Sequence, residues 1–185
     1  MPLDGRETQS RTVRCSLFFA RGFDSNLEQR IPNNELTSIA SVIYLLRHGD
    51  AEHETGNDAD RRLTEKGERQ SDVAGRALAA LGAKIEVCLS SPKLRAEQTA
   101  RLACKHLDVE VEIAEQLRGG RFDAVALAAG RGDVLLVGHE PDFSNAVADL
   151  TGGRVKLRKG GIACVDENLL HALLRPKDLR SIAAI

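Results

Sequence analysis

Residues 42–49 read VIYLLRHG, an uninterrupted apolar run that ends in an arginine, a histidine and a glycine. A run of this length and composition is typical of a strand buried on both faces of a parallel sheet. Residues 134–139, VLLVGH, repeat the pattern, and the apolar stretch 85–89 leads into Ser90, Ser91 and Pro92. Because helical patterns separate these strands, the sequence predicts an α/β fold: a three-layer α/β/α sandwich with a mostly parallel central sheet.

The remaining elements follow from start and stop signals on either side of these strands. Residues 162–165 and 169–174 flank Asp166, Glu167 and Asn168, which predicts an antiparallel hairpin at the C-terminal edge of the sheet. Residues 109–113 alternate as a further strand would. Helices are predicted from Thr64 to Leu81, from Ser91 as N-cap and Pro92 as first helical residue to His106, over 122–129, and from Pro141 to Leu150.

The first 40 residues lack a sustained period of 2 or 3.6 and mix arginines with isolated apolar residues. We therefore expect residues 1–40 to be a poorly ordered N-terminal extension with one short helix near 34–40, and residues 41–185 to form the folded domain.

Composition excludes several functional classes. A formal net charge of -1 and a pI of about 6.5 argue against a broad nucleic-acid or membrane surface, and no apolar stretch is long enough to span a bilayer. The four cysteines form no C-x-x-C pair and none has a histidine at zinc-ligand spacing, so we expect no metal site and a reducing, cytoplasmic location.

Three predicted strands carry polar residues to one edge of the sheet, since parallel strands place their carboxyl ends together, where ligands bind. These residues are His48, His139 and Ser91. Gly49 allows close approach of the backbone to a ligand. Arg95, one turn into the helix predicted after Ser91, can bind a phosphate in bidentate fashion.

As a set, the motifs LRHG (46–49), LTEKG (63–67), SSPKLRAEQTA (90–100) and GH (138–139) resemble the histidine phosphatase superfamily, in order and over residues 42–165. The finer resemblance is to the compact SixA-like phosphohistidine phosphatases. It implies that residues 41–185 are a histidine phosphatase domain, that His48 is the nucleophile, and that Arg47, Arg95 and His139 bind the phosphoryl oxygens.

The chemistry of these residue types agrees with such roles. Neutral imidazole is a good nucleophile at pH 7, and two arginines with a second histidine can neutralise the transferring phosphoryl group without a metal. We therefore expect no cofactor. Gly49 and Ser91 are expected to contact substrate, and Glu140 and Glu52 are candidate proton donors; Glu140 could equally be a carboxylate that stabilises a helix N-terminus.

The leading functional hypothesis is removal of phosphate from phosphohistidine on a partner protein, because residues 101–138 leave no room for a separate lid domain. One alternative is a phosphatase of small phosphorylated metabolites. Another is a phosphate-binding module without catalysis, although such a module has no need of a nucleophile.

Overall fold

The computed structural model describes residues 41–53 and 56–184. The predicted extension at 1–40, with its short helix, lies outside the described residues. Strand β1 (Ile43–Arg47) lies inside the sheet, pairing in parallel with β4 (Val134–Gly138) and antiparallel with β5 (Ile162–Asp166). All five residues of β4 are buried, as expected for a strand covered on both faces.

The sheet has six strands in the order β3-β2-β4-β1-β5-β6, of which β3, β2, β4 and β1 are parallel. The predicted fold class, with its antiparallel hairpin at the C-terminal edge, is confirmed. The remaining elements of the described chain are α1 (Glu65–Ala80), β2 (Val87–Ser90), α2 (Leu94–Cys104), β3 (Val111–Ile113), α3 (Ala124–Ala128), α4 (Asp142–Thr151), β6 (Leu169–Leu174) and α5 (Pro176–Ile182), with short 3-10 turns at Asp58–Asp60 and Glu115–Leu117.

Successive residues of the inner strands supply two separate cores, because side chains alternate across a sheet. Leu45 and Leu136 pack with α3 and α4 on one face, and Leu46, Leu135 and Val137 pack with α1, α2 and α5 on the other. Helices on both faces leave the ends of the parallel strands as the place where polar side chains gather.

The C-terminal hairpin turns at Glu167 and Asn168, which both have positive φ, 45° and 64°. Two consecutive residues of this kind form the tight turn whose twist matches that of the flanking strands. The hairpin predicted around these residues is therefore confirmed.

The predicted start of the second helix is wrong. Helix α2 begins at Leu94 after Lys93, and Ser91 does not cap it. The Ser91 backbone N–H instead donates to the Val137 carbonyl at 2.9 Å, which continues the sheet beyond β2. Helices α3 and α4 likewise begin later than predicted. Helix α5 was not predicted, although Pro176 in its first turn and a capping box through Asp178 are signals of a helix start.

No helix in the described ranges is long and apolar enough to cross a membrane.

Candidate active site

The two histidines meet because the strands that carry them are in register. Arg47 at the end of β1 pairs with Gly138 at the end of β4, so His48 and His139 are the next residue on each strand. The His48 backbone N–H donates to the Gly138 carbonyl at 3.0 Å. The ring centroids are 5.1 Å apart with planes tilted by 57°. The convergence predicted for these two residues is therefore what the parallel register produces.

The His48 ring is held in one tautomer by the backbone carbonyl of the next residue, Gly49. It is 7% exposed, and its Nδ1 lies 2.7 Å from the Gly49 carbonyl oxygen. A carbonyl only accepts, so Nδ1 carries the proton and Nε2 keeps its lone pair. Burial, together with the positive charges of Arg95 and Arg47, lowers the pKa of His48 to about 3. The ring is thus neutral at pH 7, the form in which Nε2 is a nucleophile.

His139 is oriented by Ser91. Its Nε2 lies 2.8 Å from Ser91 Oγ, which also accepts the Lys93 backbone N–H at 3.3 Å. Ser91 is fully buried, and among the described contacts of its hydroxyl only His139 Nε2 can accept the proton, so we assign that proton to a bond with Nε2, which leaves the ring proton on Nδ1. Burial and the neighbouring His48 lower the pKa of His139 to about 3. Ser91, predicted to contact substrate, lies in direct contact with the second histidine.

Two guanidinium groups, that of buried Arg95 and that of half-buried Arg47, adjoin the imidazoles. Arg47 Nη1 donates to the Leu157 carbonyl at 2.8 Å, and Arg95 Nη1 donates to the Asp58 carbonyl at 2.6 Å. Arg47 Nε, Arg95 Nε and His139 Nδ1 are buried and have no hydrogen-bond partner among the described residues. Buried N–H groups without partners are costly, and N–H donors on cationic or imidazole side chains suit an oxyanion such as phosphate.

Sequence reasoning missed Asp58, which joins the cations of the site. Its carboxylate accepts from Lys93 Nζ at 2.9 Å, Arg61 Nη1 at 3.0 Å and Arg95 Nη2 at 3.1 Å. The hydrogen bond from Lys93, with those from Arg61 and Arg95, holds the pKa of Asp58 far below its usual range. Asp58 begins a short 3-10 turn in a stretch of sequence without periodicity, and no local signal ties it to Arg95, 37 residues away.

Gly49 and Gly67 allow two backbone segments to cross next to His48. A Cβ built on Gly49 would lie 2.5 Å from the Gly67 carbonyl oxygen, and one built on Gly67 would lie 1.9 Å from the Asp50 carbonyl oxygen. The Gly49 N–H donates to Thr99 Oγ1 of α2 at 3.1 Å. The motifs around these glycines therefore position His48 by bringing the end of β1 into contact with α1 and α2. This role is separate from the close approach of the Gly49 backbone to a ligand that the sequence predicted.

The two candidate proton donors occupy different surroundings. Glu140 Oε1 accepts from Ser144 Oγ at 2.6 Å and from the Leu157 backbone N–H at 2.9 Å, so its carboxylate anchors the segment that precedes β5. Glu52 is exposed, on the loop that follows His48. Its backbone bonds to residues 61 and 62, and no described contact joins its carboxylate to either histidine.

A cavity of about 530 Å³ lies elsewhere, between α1, α2 and α5, and is lined by Val73, Leu102, Pro176 and several charged side chains. None of the residues at the strand ends borders it. We place the site at His48 and His139 because burial, perturbed pKa values and unpartnered donors coincide there. Among residues 41–53 and 56–184, no group of three or more His, Cys, Asp or Glu side chains is arranged to hold a metal ion.

The sequence model of a protein family described as "Histidine phosphatase superfamily (branch 1)" matches residues 43–127 of this chain. An uncharacterised protein from Picosynechococcus sp. (strain ATCC 27264 / PCC 7002 / PR-6) is 37% identical over 134 residues, which cover 65% of this chain and 81% of that protein. The mitochondrial serine/threonine-protein phosphatase Pgam5 of Drosophila simulans is 36% identical over 73 residues. That match covers 40% of this chain but only 25% of the phosphatase.

Solved structures share the fold. The protein histidine phosphatase SixA complexed with tungstate superposes with a TM-score of 0.66 at 27% identity, covering 75% of this chain and 99% of that one. A SixA protein from Agrobacterium tumefaciens gives a TM-score of 0.69 at 23% identity, covering 75% and 100%.

Proposed function

The chain belongs to the histidine phosphatase superfamily, and we propose that it removes phosphate from phosphohistidine on a partner protein through a covalent intermediate on His48. The observation that carries the proposal is the tautomer of His48. Its Nδ1 donates to the Gly49 carbonyl at 2.7 Å, so the lone pair of Nε2 is available, and the unpartnered N–H groups of Arg47, Arg95 and His139 belong to the same cluster.

In the first step, Nε2 of His48 attacks phosphorus and the P–N bond of the substrate phosphohistidine breaks. The substrate imidazole keeps the bonding electron pair and leaves as a neutral ring, having been protonated on its other nitrogen. In the second step, water attacks phosphorus and the P–N bond to His48 breaks. Both water protons leave on inorganic phosphate, and His48 returns to its neutral form.

The side chains around His48 act on charge and position. Arg47, Arg95 and the Nδ1–H of His139 bind the three equatorial oxygens, and this neutralisation is most of what phosphoryl transfer requires. Ser91 fixes the His139 ring, and Asp58 fixes the Arg95 guanidinium. Because both histidine pKa values lie at about 3, the nucleophile does not need to lose a proton at neutral pH.

The architecture supports a protein substrate. Residues between α2 and β4 form β3, a short 3-10 turn and α3, which belong to the sheet and its covering layer and provide no separate lid. The solved neighbour at 27% identity is named a protein histidine phosphatase. Buried Cys88 and Cys104 are free thiols, which supports a reducing compartment such as the cytoplasm.

The test is a comparison of rates on a phosphohistidine protein, sugar phosphates and p-nitrophenyl phosphate, combined with trapping of the phosphoenzyme. We expect the highest kcat/KM on phosphohistidine and an acid-labile label that is absent from His48→Asn. His171→Asn is the matched control, since His171 is exposed and outside the site. A higher kcat/KM on sugar phosphates would assign the chain to small metabolites, and binding without turnover would make it a phosphate-binding module.

A further inference from the structure

A stripe of basic side chains leaves the site along the segment before β5. Residues 153–160 read GRVKLRKG, in which Arg154, Lys156 and Arg158 are exposed whereas Val155 is partly buried and Leu157 fully buried. This period of two is that of an extended chain whose alternate side chains point outward. We call Arg154, Lys156 and Arg158 the basic stripe.

The basic stripe is fixed to the catalytic cluster. Leu157 is 1% exposed, its N–H donates to Glu140 Oε1, and its carbonyl accepts from Arg47 Nη1. Further along, the Gly160 N–H donates at 3.0 Å to the carbonyls of Arg47 and His48. Burial lowers the pKa of Arg47, and the positive charge of nearby Arg158 lowers it further. One end of the stripe therefore adjoins the nucleophile, and the other lies roughly 13 Å further along the chain at extended spacing.

The charge of the stripe is not neutralised within the described part of the chain. Lys159 is paired with Asp50 at 2.7 Å, and Lys93 with Asp58 at 2.9 Å. By contrast, the ion pairs of residues 41–53 and 56–184 include none of the three basic groups of the stripe. In a chain with a formal net charge of -1, this is a local concentration of positive charge beside the site.

We infer that the basic stripe docks an acidic segment next to the phosphorylated histidine of the partner protein. The inference rests on the proposed function and deepens it by naming a property of the substrate. In an extended acidic segment, carboxylates on alternate residues have the same spacing of about 6.7 Å as the outward side chains of the stripe. Complementary charge of this kind mainly increases the rate of encounter and selects among partners.

Other anionic ligands fit the stripe less well. A small phosphate ester that reacts at His48 cannot extend over the full length of roughly 13 Å of extended chain. Single-stranded nucleic acid usually stacks its bases on aromatic side chains, and residues 152–161 contain none. An acidic protein segment could bind using only the positive charges and the extended backbone of the stripe.

The test uses the full chain and two synthetic peptides, each with one phosphohistidine, flanked by glutamates in one peptide and by serines in the other. The variant Arg154→Gln/Lys156→Gln leaves Arg158, the stripe residue nearest Arg47, in place. We expect kcat/KM on the acidic peptide to fall about three- to twentyfold, almost entirely through KM, because exposed ion pairs are individually weak. Turnover of p-nitrophenyl phosphate and of the serine-flanked peptide should stay within about twofold on the same reasoning.

The matched control is Lys84→Gln/Lys105→Gln, which removes the same charge from two exposed lysines, one before β2 and one at the end of α2. It should leave the preference for the acidic peptide intact, and salt at about 0.5 M should abolish that preference in the wild type. Equal kcat/KM on the two peptides in the wild type would overturn the inference while leaving phosphohistidine hydrolysis standing. So would a uridine oligonucleotide that binds the stripe more tightly than the acidic peptide. Absence of turnover on every phosphohistidine substrate would instead refute the proposed function.

Discussion

Replacing Gly49 with alanine displaces His48, the proposed nucleophile, without changing any ionisable group. An added Cβ would lie 2.5 Å from the Gly67 carbonyl oxygen and 2.9 Å from the Gly67 Cα, both backbone atoms that no rotamer change can move. The Gly49 carbonyl accepts from His48 Nδ1, and the Gly49 N–H donates to Thr99. Separation of the two segments therefore shifts the residue that sets the tautomer of His48.

The magnitude follows from the overlap. Restoring ordinary contact at 3.4 Å requires a shift of about 0.9 Å, and overpacking of this kind typically costs about 1–3 kcal/mol of unfolding free energy. A displacement of about 1 Å at a nucleophile can lower kcat by about 100-fold. We therefore expect Gly49→Ala to be folded but less stable, with kcat on phosphohistidine reduced about 100-fold.

Urea unfolding measures the first quantity and steady-state kinetics on a phosphohistidine peptide the second. Gly56→Ala is the control, because a Cβ there meets nothing within 4 Å, and it should match the wild type in both assays. If Gly49→Ala has wild-type stability and kcat, the backbone at Gly67 moves to accept the added Cβ at little cost, and our account of how His48 is positioned is wrong.

The other predictions concern charge, protons and metals. Arg95→Lys should lose on the order of 100-fold in kcat/KM because the planar fork is lost although the charge remains; near-normal activity would mean that charge alone suffices. Glu140→Gln and Glu52→Gln should each lower kcat/KM on phosphohistidine by less than about tenfold, because the leaving imidazole needs no strong general acid. In Glu140→Gln the new amide oxygen can still accept the backbone hydrogen bond. A loss of about 100-fold in either variant would identify a proton donor. Burial lowers the pKa of both His48 and His139 to about 3, from an unfolded value near 6.5, so the unfolded state binds more protons below pH 6.5. The free energy of unfolding should therefore fall as the pH drops from about 6.5 to 4.5, by up to about 1.4 kcal/mol per pH unit for each histidine. Urea titrations of the wild type and His48→Gln should show a shallower slope in the variant, and equal slopes would contradict the lowered pKa of His48. Turnover should survive EDTA, whereas loss on chelation with recovery on adding Mg²⁺ or Zn²⁺ would require a metal.

Elements with strong local signals were predictable from the sequence. The runs at 43–47 and 134–138 are apolar on both faces and each is followed by a histidine, so their burial, their parallel pairing and the proximity of His48 and His139 all follow from one pattern. Helix α1 was predicted to within a residue at each end because Thr64 caps it and Gly82 ends it. Boundaries without such signals, at α3 and β3, were predicted less well.

The start of α2 shows why a local signal can mislead. A serine followed by proline is a good helix start in isolation, but Ser91 bonds through its N–H to β4 and through its hydroxyl to His139. These partners lie 46 and 48 residues away, so no window of sequence around Ser91 contains them. Tertiary hydrogen bonds outweighed local capping preference, which is worth only about 1 kcal/mol.

The sequence by itself determined the sheet, the edge at which polar residues gather and the family of the chain. Hydrophobic periodicity, the residues at strand ends and the order of the motifs can all be read from short stretches of sequence. Only the tertiary structure decided how those residues act. The proton on His48 Nδ1, the bond between Ser91 and His139 and the clamp of Asp58 on Arg95 each join groups whose distance depends on the whole fold. The same holds for the direction of the basic stripe. The alternation of basic and apolar residues in 153–160 indicates an extended segment, but only its bonds to Glu140 and Arg47 place it beside His48.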